Sequence, residues 1–229
     1  VSNEVGDDLV GNARWLGTPL RDLLAEAGVQ DGAGQVVGRA VDGWTAGFPT
    51  EAAIDGRDAM VVVGMNGAPL PPAHGYPARL IVPGLYGYVS ATKWLTEIEL
   101  TTWDGFDAYW VPRGWSKEGP IKTQSRIDVP RGGDVTAGEV VVAGVAWAPT
   151  RGLDRVEVRL DDGAWQDAEL TDPLSPDAWV QWRATLTIPT GEHTIQVRAT
   201  DGAGATQPPG PVPPRPDGAE GWHTVRVRA

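Results

Sequence analysis

VTAGEVVVAGVAW (135–147), DRVEVRLDDGAWQDAEL (154–170), WVQWRATLTIP (179–189) and GEHTIQVRATD (191–201) decide the architecture of the second half of the chain. In each run apolar side chains recur at alternate positions, and Gly, Asp-Gly or Pro closes the segment. That is the period of a strand with one face in a core, not the longer period of a helix. Val156, Val158 and Leu160 are expected on one face, with Glu157 and Arg159 on the other. Closely spaced runs of this kind are what a small antiparallel sandwich needs. A Pro-rich stretch, QPPGPVPPRPDG (207–218), precedes a last strand, WHTVRVR (222–228). Residues 127–229 therefore read as an all-β immunoglobulin-like sandwich.

Upstream the pattern changes. RWLGTPLRDLLAEAG (14–28) contains a helix: Thr18 is a candidate cap, Pro19 suits the first turn, and Leu20, Leu23 and Leu24 form a stripe that Gly28 ends. QVVGRAV (35–41) and AMVVVGM (59–65) read as strands, as do residues 80–83 and 94–102. Thr50 is a candidate cap for a short helix in GWTAGFPTEAAIDG (43–56), and Asn66-Gly67 is a hairpin signal. Helix and strand mix without a βαβ rhythm, so residues 1–107 are assigned to the α+β class. Trp103, Trp110 and Trp115 then fall among Gly, Pro and Arg. Three Trp residues belong to a packed segment, so residues 108–126 are read as a structured connector.

Composition bounds the function. Of 229 residues, 41% are hydrophobic and 21% charged, which describes a chain able to build a core. The formal charge of −11 argues against a nucleic-acid binder, which needs a basic face. Cysteine is absent, so disulfides, zinc-thiolate sites and cysteine nucleophiles are excluded within these residues. No run approaches the roughly 20 apolar residues of a membrane span.

The chemistry concentrates in HGYPARLIVPGLYGYVSATKW (74–94). Arg79 offers a fork of donors and Lys93 a point charge, while the Gly- and Tyr-rich turn, with Ser90 and Thr92, supplies hydroxyls and backbone N–H groups. This is the make-up of an anion clamp. A plain pair of strands with ordinary surface charges would use the same residues.

The longer block MNGAPLPPAHGYPARLIVPGLYGYVSATKWLTEIEL (65–100) resembles the signature region of the sulfite-oxidase family of molybdopterin enzymes. GNARWLGTPLRDLLAEAG (11–28) is similar to the family's helix, and the segment after Ile127 to its immunoglobulin-like dimerisation domain. The resemblance implies a Mo-molybdopterin cofactor and oxygen-atom transfer in the intact parent. It assigns His74 and Arg79 to the pyranopterin and its phosphate, and Thr92 and Lys93, with Ser90 and Ala91, to the loop around that phosphate. Asp42, in AVDGWTAGFP, falls near a position that hydrogen-bonds the pterin. It further implies a homodimer, a small-molecule substrate, an electron-transfer partner, and a parent that is exported or membrane-anchored.

Two departures from the family pattern are informative. The family's metal-binding Cys is followed by an Asn in a Cys-x-x-Asn pattern; here Asn3 takes the Asn position, which sets the Cys immediately before Val1. The expectation is a carboxy-terminal fragment without metal ligand or catalytic residue, inactive alone. Sulfite-oxidising members follow that Asn with Arg residues, whereas this chain has Glu4, Asp7 and Asp8, which would repel sulfite. Arg215 resembles the family's substrate-site Arg in spacing to Trp222 and His223, although a solvated loop residue would look the same.

The alternative to an oxidoreductase is a non-catalytic binding or assembly module built on the sandwich, with a sugar-binding sandwich as a further option. His193 is expected at an exposed strand edge and His223 beside Trp222. Asp161-Asp162-Gly163 reads as a hairpin turn, since the spaced carboxylates of a calcium loop are missing.

Overall fold

The structure, a computed structural model, describes residues 10–229. The chain divides into two compact units: Ala13–Ile121 with Arg215–Asp217, and Lys122–Pro214 with Gly218–Ala229, to which residues 10–12 attach. Asn3, Glu4, Asp7 and Asp8 lie outside the described residues. No helix among those described is long and apolar enough to cross a membrane.

The first unit runs β1 (Trp15–Pro19), α1 (Leu20–Ala27), β2 (Gln35–Ala40), β3 (Thr45–Pro49), α2 (Glu51–Ile54), β4 (Met60–Met65), β5 (Ala68–Pro69), β6 (Arg79–Ile81), α3 (Gly87–Ser90) and β7 (Leu95–Thr101). One sheet has the order β1-β4-β5 with β6 also on β4; the other has the order β3-β2-β7. Leu20, Leu24, Val36, Phe48, Leu80 and Val82 form its core. Asn66 and Gly67 both have positive φ, 53° and 82°, which is the backbone a two-residue hairpin demands between β4 and β5.

Two local expectations are corrected. Thr18 does not cap the helix: residues 15–19 form β1, in which Thr18 pairs with Val61 and Pro19 with Met60. The helix therefore starts at Leu20, whose N–H is satisfied by Ala59 O at 2.7 Å, and it has no side-chain cap. Pairing with a distant strand outweighs a local cap, which contributes only about 1 kcal/mol. Thr50 stands at the N-cap of α2 but its hydroxyl makes no capping bond, because its backbone is already helical (φ −56°, ψ −32°). Gly28 does end α1, with φ 80° and its N–H on Leu24 O at 3.0 Å.

The second unit runs β8 (Gln124–Val129), β9 (Gly133–Asp134), β10 (Gly138–Trp147), β11 (Leu153–Leu160), β12 (Gln166–Asp167), β13 (Glu169–Leu170), β14 (Val180–Ile188), β15 (Glu192–Asp201) and β16 (His223–Arg228). The sheets β13-β14-β10-β8 and β12-β11-β15-β16-β9 enclose Val142, Val156, Val158, Trp182, Leu186, Ile188, Ile195 and Val197, all buried. Their pairings are antiparallel except β16 with β9. The period-two reading of β11 holds: Val156 and Val158 are fully buried and Leu160 packs on the same cluster, while Glu157 and Arg198 form an ion pair on the opposite face. His193 is corrected. Its side chain is only 15% exposed, and Nδ1 lies 2.8 Å from Asp161 Oδ2 at the β11 turn.

Candidate cofactor site

Gly75 organises the cationic turn. A 3-10 turn at Pro72–His74 ends at Gly75 with φ 108°, a conformation that a side chain makes costly. A Cβ on Gly75 would lie 2.9 Å from Lys93 Cβ and 3.1 Å from Arg79 Cβ. The two cations, fourteen positions apart in sequence, thus leave the backbone beside the same point. The turn is closed by Trp94, whose N–H donates to Gly75 O (3.2 Å) and whose indole Nε1 donates to Pro72 O (2.8 Å). Gly75 and Trp94 belong to the signature block but carried no site role from the sequence; the Gly inside His-Gly-Tyr-Pro was the available signal.

Both cations are anchored on this turn. Arg79 Nη1 donates to His74 O at 3.1 Å, and its guanidinium carbon lies 5.2 Å from the Trp15 ring. Lys93 Nζ donates to Ala73 O at 3.2 Å and sits 4.6 Å above the Trp94 ring. Among the described residues neither cation has a carboxylate within ion-pairing distance. Arg79 Nε is buried without a hydrogen-bond partner, and burial pushes the guanidinium below its ordinary pKa. Two cations anchored on neighbouring carbonyls of one turn, with no carboxylate partner among the described residues and one with an orphaned buried donor, are suited to receive an anionic group. A phosphate-bearing pterin fits this donor set.

The remaining candidates are less uniform. His74 is exposed on the same turn. Thr92 is fully buried; its Oγ1 would touch a Cβ on Gly38 at 2.5 Å and has no partner. Ser90 Oγ is committed to the carbonyls of Tyr86 (3.0 Å) and Leu85 (3.3 Å), so it braces its own turn. Ala91 follows α3, its N–H on Gly87 O. Asp42 is exposed in the β2–β3 hairpin and accepts from Trp44 N at 3.0 Å. The hairpin adjoins the clamp, since Val41 N donates to Trp94 O at 3.1 Å.

Arg215 packs with the first unit, its Cδ 3.7 Å from where a Gly114 Cβ would lie. The following carbonyl, Pro216 O, accepts from Ser116 N at 2.8 Å and from the Tyr88 hydroxyl at 3.4 Å. Aromatic rings line this segment: Tyr88 lies 4.9 Å from Trp115, and Trp115 lies 5.8 Å from Trp110.

Fold and site together define a molybdopterin-binding domain joined to a dimerisation domain. Residues 1–110 match the oxidoreductase molybdopterin binding domain family, and residues 121–228 match the Mo-co oxidoreductase dimerisation domain family. The chain belongs to the sulfite-oxidase family of molybdopterin-dependent oxidoreductases. It is 30% identical to mitochondrial sulfite oxidase of Homo sapiens over a 256-residue alignment covering 95% of this chain and 47% of that protein. It is 31% identical to sulfite oxidase of Gallus gallus, covering 89% of this chain and 52% of that protein. In structure it is similar to the sulfane dehydrogenase SoxCD from Paracoccus pantotrophus, with a TM-score of 0.70 and 30% identity over 86% of this chain and 54% of that one. The chain spans about half the length of the curated relatives it matches.

Proposed function

We propose that these residues form the phosphate-gripping and dimer-forming parts of an oxidoreductase whose molybdenum-pterin supplies oxygen-atom transfer. The observation that carries this reading is that Arg79 and Lys93 both leave the backbone beside Gly75 with no carboxylate partner among the described residues. In it, Arg79 and Lys93 hold the pterin phosphate, His74 bears on the pyranopterin, and Ser90, Ala91 and Thr92 shape the loop around the same phosphate. Asp42 accepts a hydrogen bond from the pterin, and Asn3, outside the described residues, is assigned from the sequence pattern alone to the cofactor. Arg215, exposed on an aromatic segment, contributes positive charge for a small anionic substrate. The acidic residues Glu4, Asp7 and Asp8 make sulfite a poor candidate for that substrate.

No residue of the chain supplies a thiolate, since cysteine is absent. The metal's sulfur ligand is therefore assigned to a residue outside these 229, and the chain by itself is inactive in this reading. Electrons leave through a separate domain or partner protein, and the sandwich pairs two copies. Charge-assisted hydrogen bonds contribute about 1.5–3 kcal/mol each, or about ten- to a hundred-fold in retention. Arg79→Ala and Lys93→Ala are to be made in the full-length protein and its molybdenum and pterin content measured, with circular dichroism as the folding control. Each variant is expected to lose most of its cofactor while staying folded. Full occupancy in both would overturn the assignment.

A further inference from the structure

The second unit holds a cleft that the cofactor reading does not use. A cavity of about 480 Å³ is lined by Arg126, Asp128, Arg131, His223 and Arg226, with backbone from Gly132 and Gly133. It is built by three segments that meet from far apart in sequence. Arg126 comes from β8, the edge strand of one sheet, and His223 and Arg226 from β16 of the other. The loop after β8 crosses between them and joins β16 as β9, with Val227 paired to Gly133. The register of β8 against β10 slips between Ala143 and Gly144, so Asp128 has no partner opposite; such a bulge re-aims side chains.

The charge in the cleft is out of character for the protein. The chain has 30 acidic and 19 basic side chains, yet this cleft collects three arginines against one carboxylate. Arg126 is the telling member. Its side chain is 14% exposed, and Nε lies 2.8 Å from Asp128 Oδ1. The contact lacks hydrogen-bond geometry, so both Nε and Nη1 are buried without an acceptor. Arg131 and Arg226 have no ion pair among the described residues. His223 Nδ1 accepts the Ile127 N–H at 3.1 Å, which fixes the ring in the wall of the cleft. A buried guanidinium with unmet donors costs stability unless an anion completes it.

We infer that this cleft is a second anion site, separate from the pterin clamp, which takes a tetrahedral dianion of the sulfate or phosphate type. Arg126 is its buried anchor and the exposed Arg131 and Arg226 are its arms. The dianion is either a free inorganic ion or the ionised end of a small ester, and a cleft this size has room for both.

The test is titration calorimetry on the 229-residue chain, with inorganic sulfate, inorganic phosphate and glycerol phosphate at fixed ionic strength set by chloride. Saturable binding is expected, weakened about ten-fold or more in Arg131→Gln/Arg226→Gln, a pair of exposed positions whose loss leaves the fold intact. Arg126→Lys keeps the charge but loses the fork and is expected to weaken binding as well. Tighter binding of glycerol phosphate than of phosphate assigns the site to an ester, and the reverse order assigns it to the free ion. No saturable heat with any of the three, or equal affinities in the double variant and the parent chain, would overturn the inference.

Discussion

Replacing Gly75 by alanine puts a methyl group where the two clamp cations leave the backbone. Two costs follow from the geometry. The backbone has φ 108°, outside the range that L side chains adopt readily, and such strain costs about 1–3 kcal/mol. The new Cβ would also lie 2.9 Å from Lys93 Cβ, 3.0 Å from Lys93 Cα and 3.1 Å from Arg79 Cβ, so backbone as well as side chain must move. Overpacking of this kind costs about 1–3 kcal/mol. Together that is about 2–6 kcal/mol, a large part of the roughly 5–15 kcal/mol that holds a typical domain. Gly56→Ala is the control. Gly56 has a similar φ of 99° but nothing within 4 Å of its Cβ position, so it carries the strain without the clash. Hydrogen exchange read on peptides covering residues 60–100 is expected to show markedly greater loss of protection in Gly75→Ala than in Gly56→Ala. In the full-length protein the cofactor content should fall in the first variant only. Equal behaviour of the two variants would refute the claim that close packing at Gly75 brings the cations together.

Three further outcomes are expected. Asp201 has a side chain 3% exposed; burial pushes its pKa up, but hydrogen bonds from Thr123, Arg151 and Ala205 outweigh this and hold it below 3.8. Asp201→Ala leaves the Ala203 and Ala205 N–H groups and the Thr123 hydroxyl without their acceptor and should cost about 1–3 kcal/mol in urea unfolding of the second unit. Because the folded pKa is depressed, the wild-type advantage is complete above pH 3.8 and disappears as pH falls from there through the folded value; an advantage independent of pH would contradict the ion pair. Tyr88 is pushed up to about 12 by burial and then by the nearby charge of Asp217, so it should be the late-titrating phenol in ultraviolet absorbance, absent in Tyr88→Phe. Its contribution to stability is complete below pH 10 and is lost as pH rises through about 12. Light scattering of the chain at tens of micromolar is expected to give a dimer, and a strict monomer would remove the pairing role proposed for the sandwich.

Much of the fold could be read from local pattern because its cause is local. Alternation along VEVRL put Val156 and Val158 in a core before any partner strand was known, and Asn66-Gly67 declared its hairpin through two residues that tolerate positive φ. The misreadings of Thr18 and His193 share one origin. WLGTP became a strand, not the lead into a helix, because β4 was there to pair with it, and no property of those five residues announces a partner more than forty positions away. The same holds for His193, whose burial depends on Asp161 across the sheet.

The functional residues divide in the same way. Residue type and spacing offered Arg79 and Lys93 either as the cations of an anion clamp or as ordinary surface charges on a pair of strands, and it was the family resemblance that favoured the clamp. Tertiary structure decided that both leave the backbone at Gly75, that the Thr92 hydroxyl turns into the core, and that Arg215 lies against Gly114. It alone also assembled Arg126, Arg131, His223 and Arg226 into one cleft. Chain chemistry is written residue by residue, but the field at a site is summed over neighbours that only the folded backbone selects.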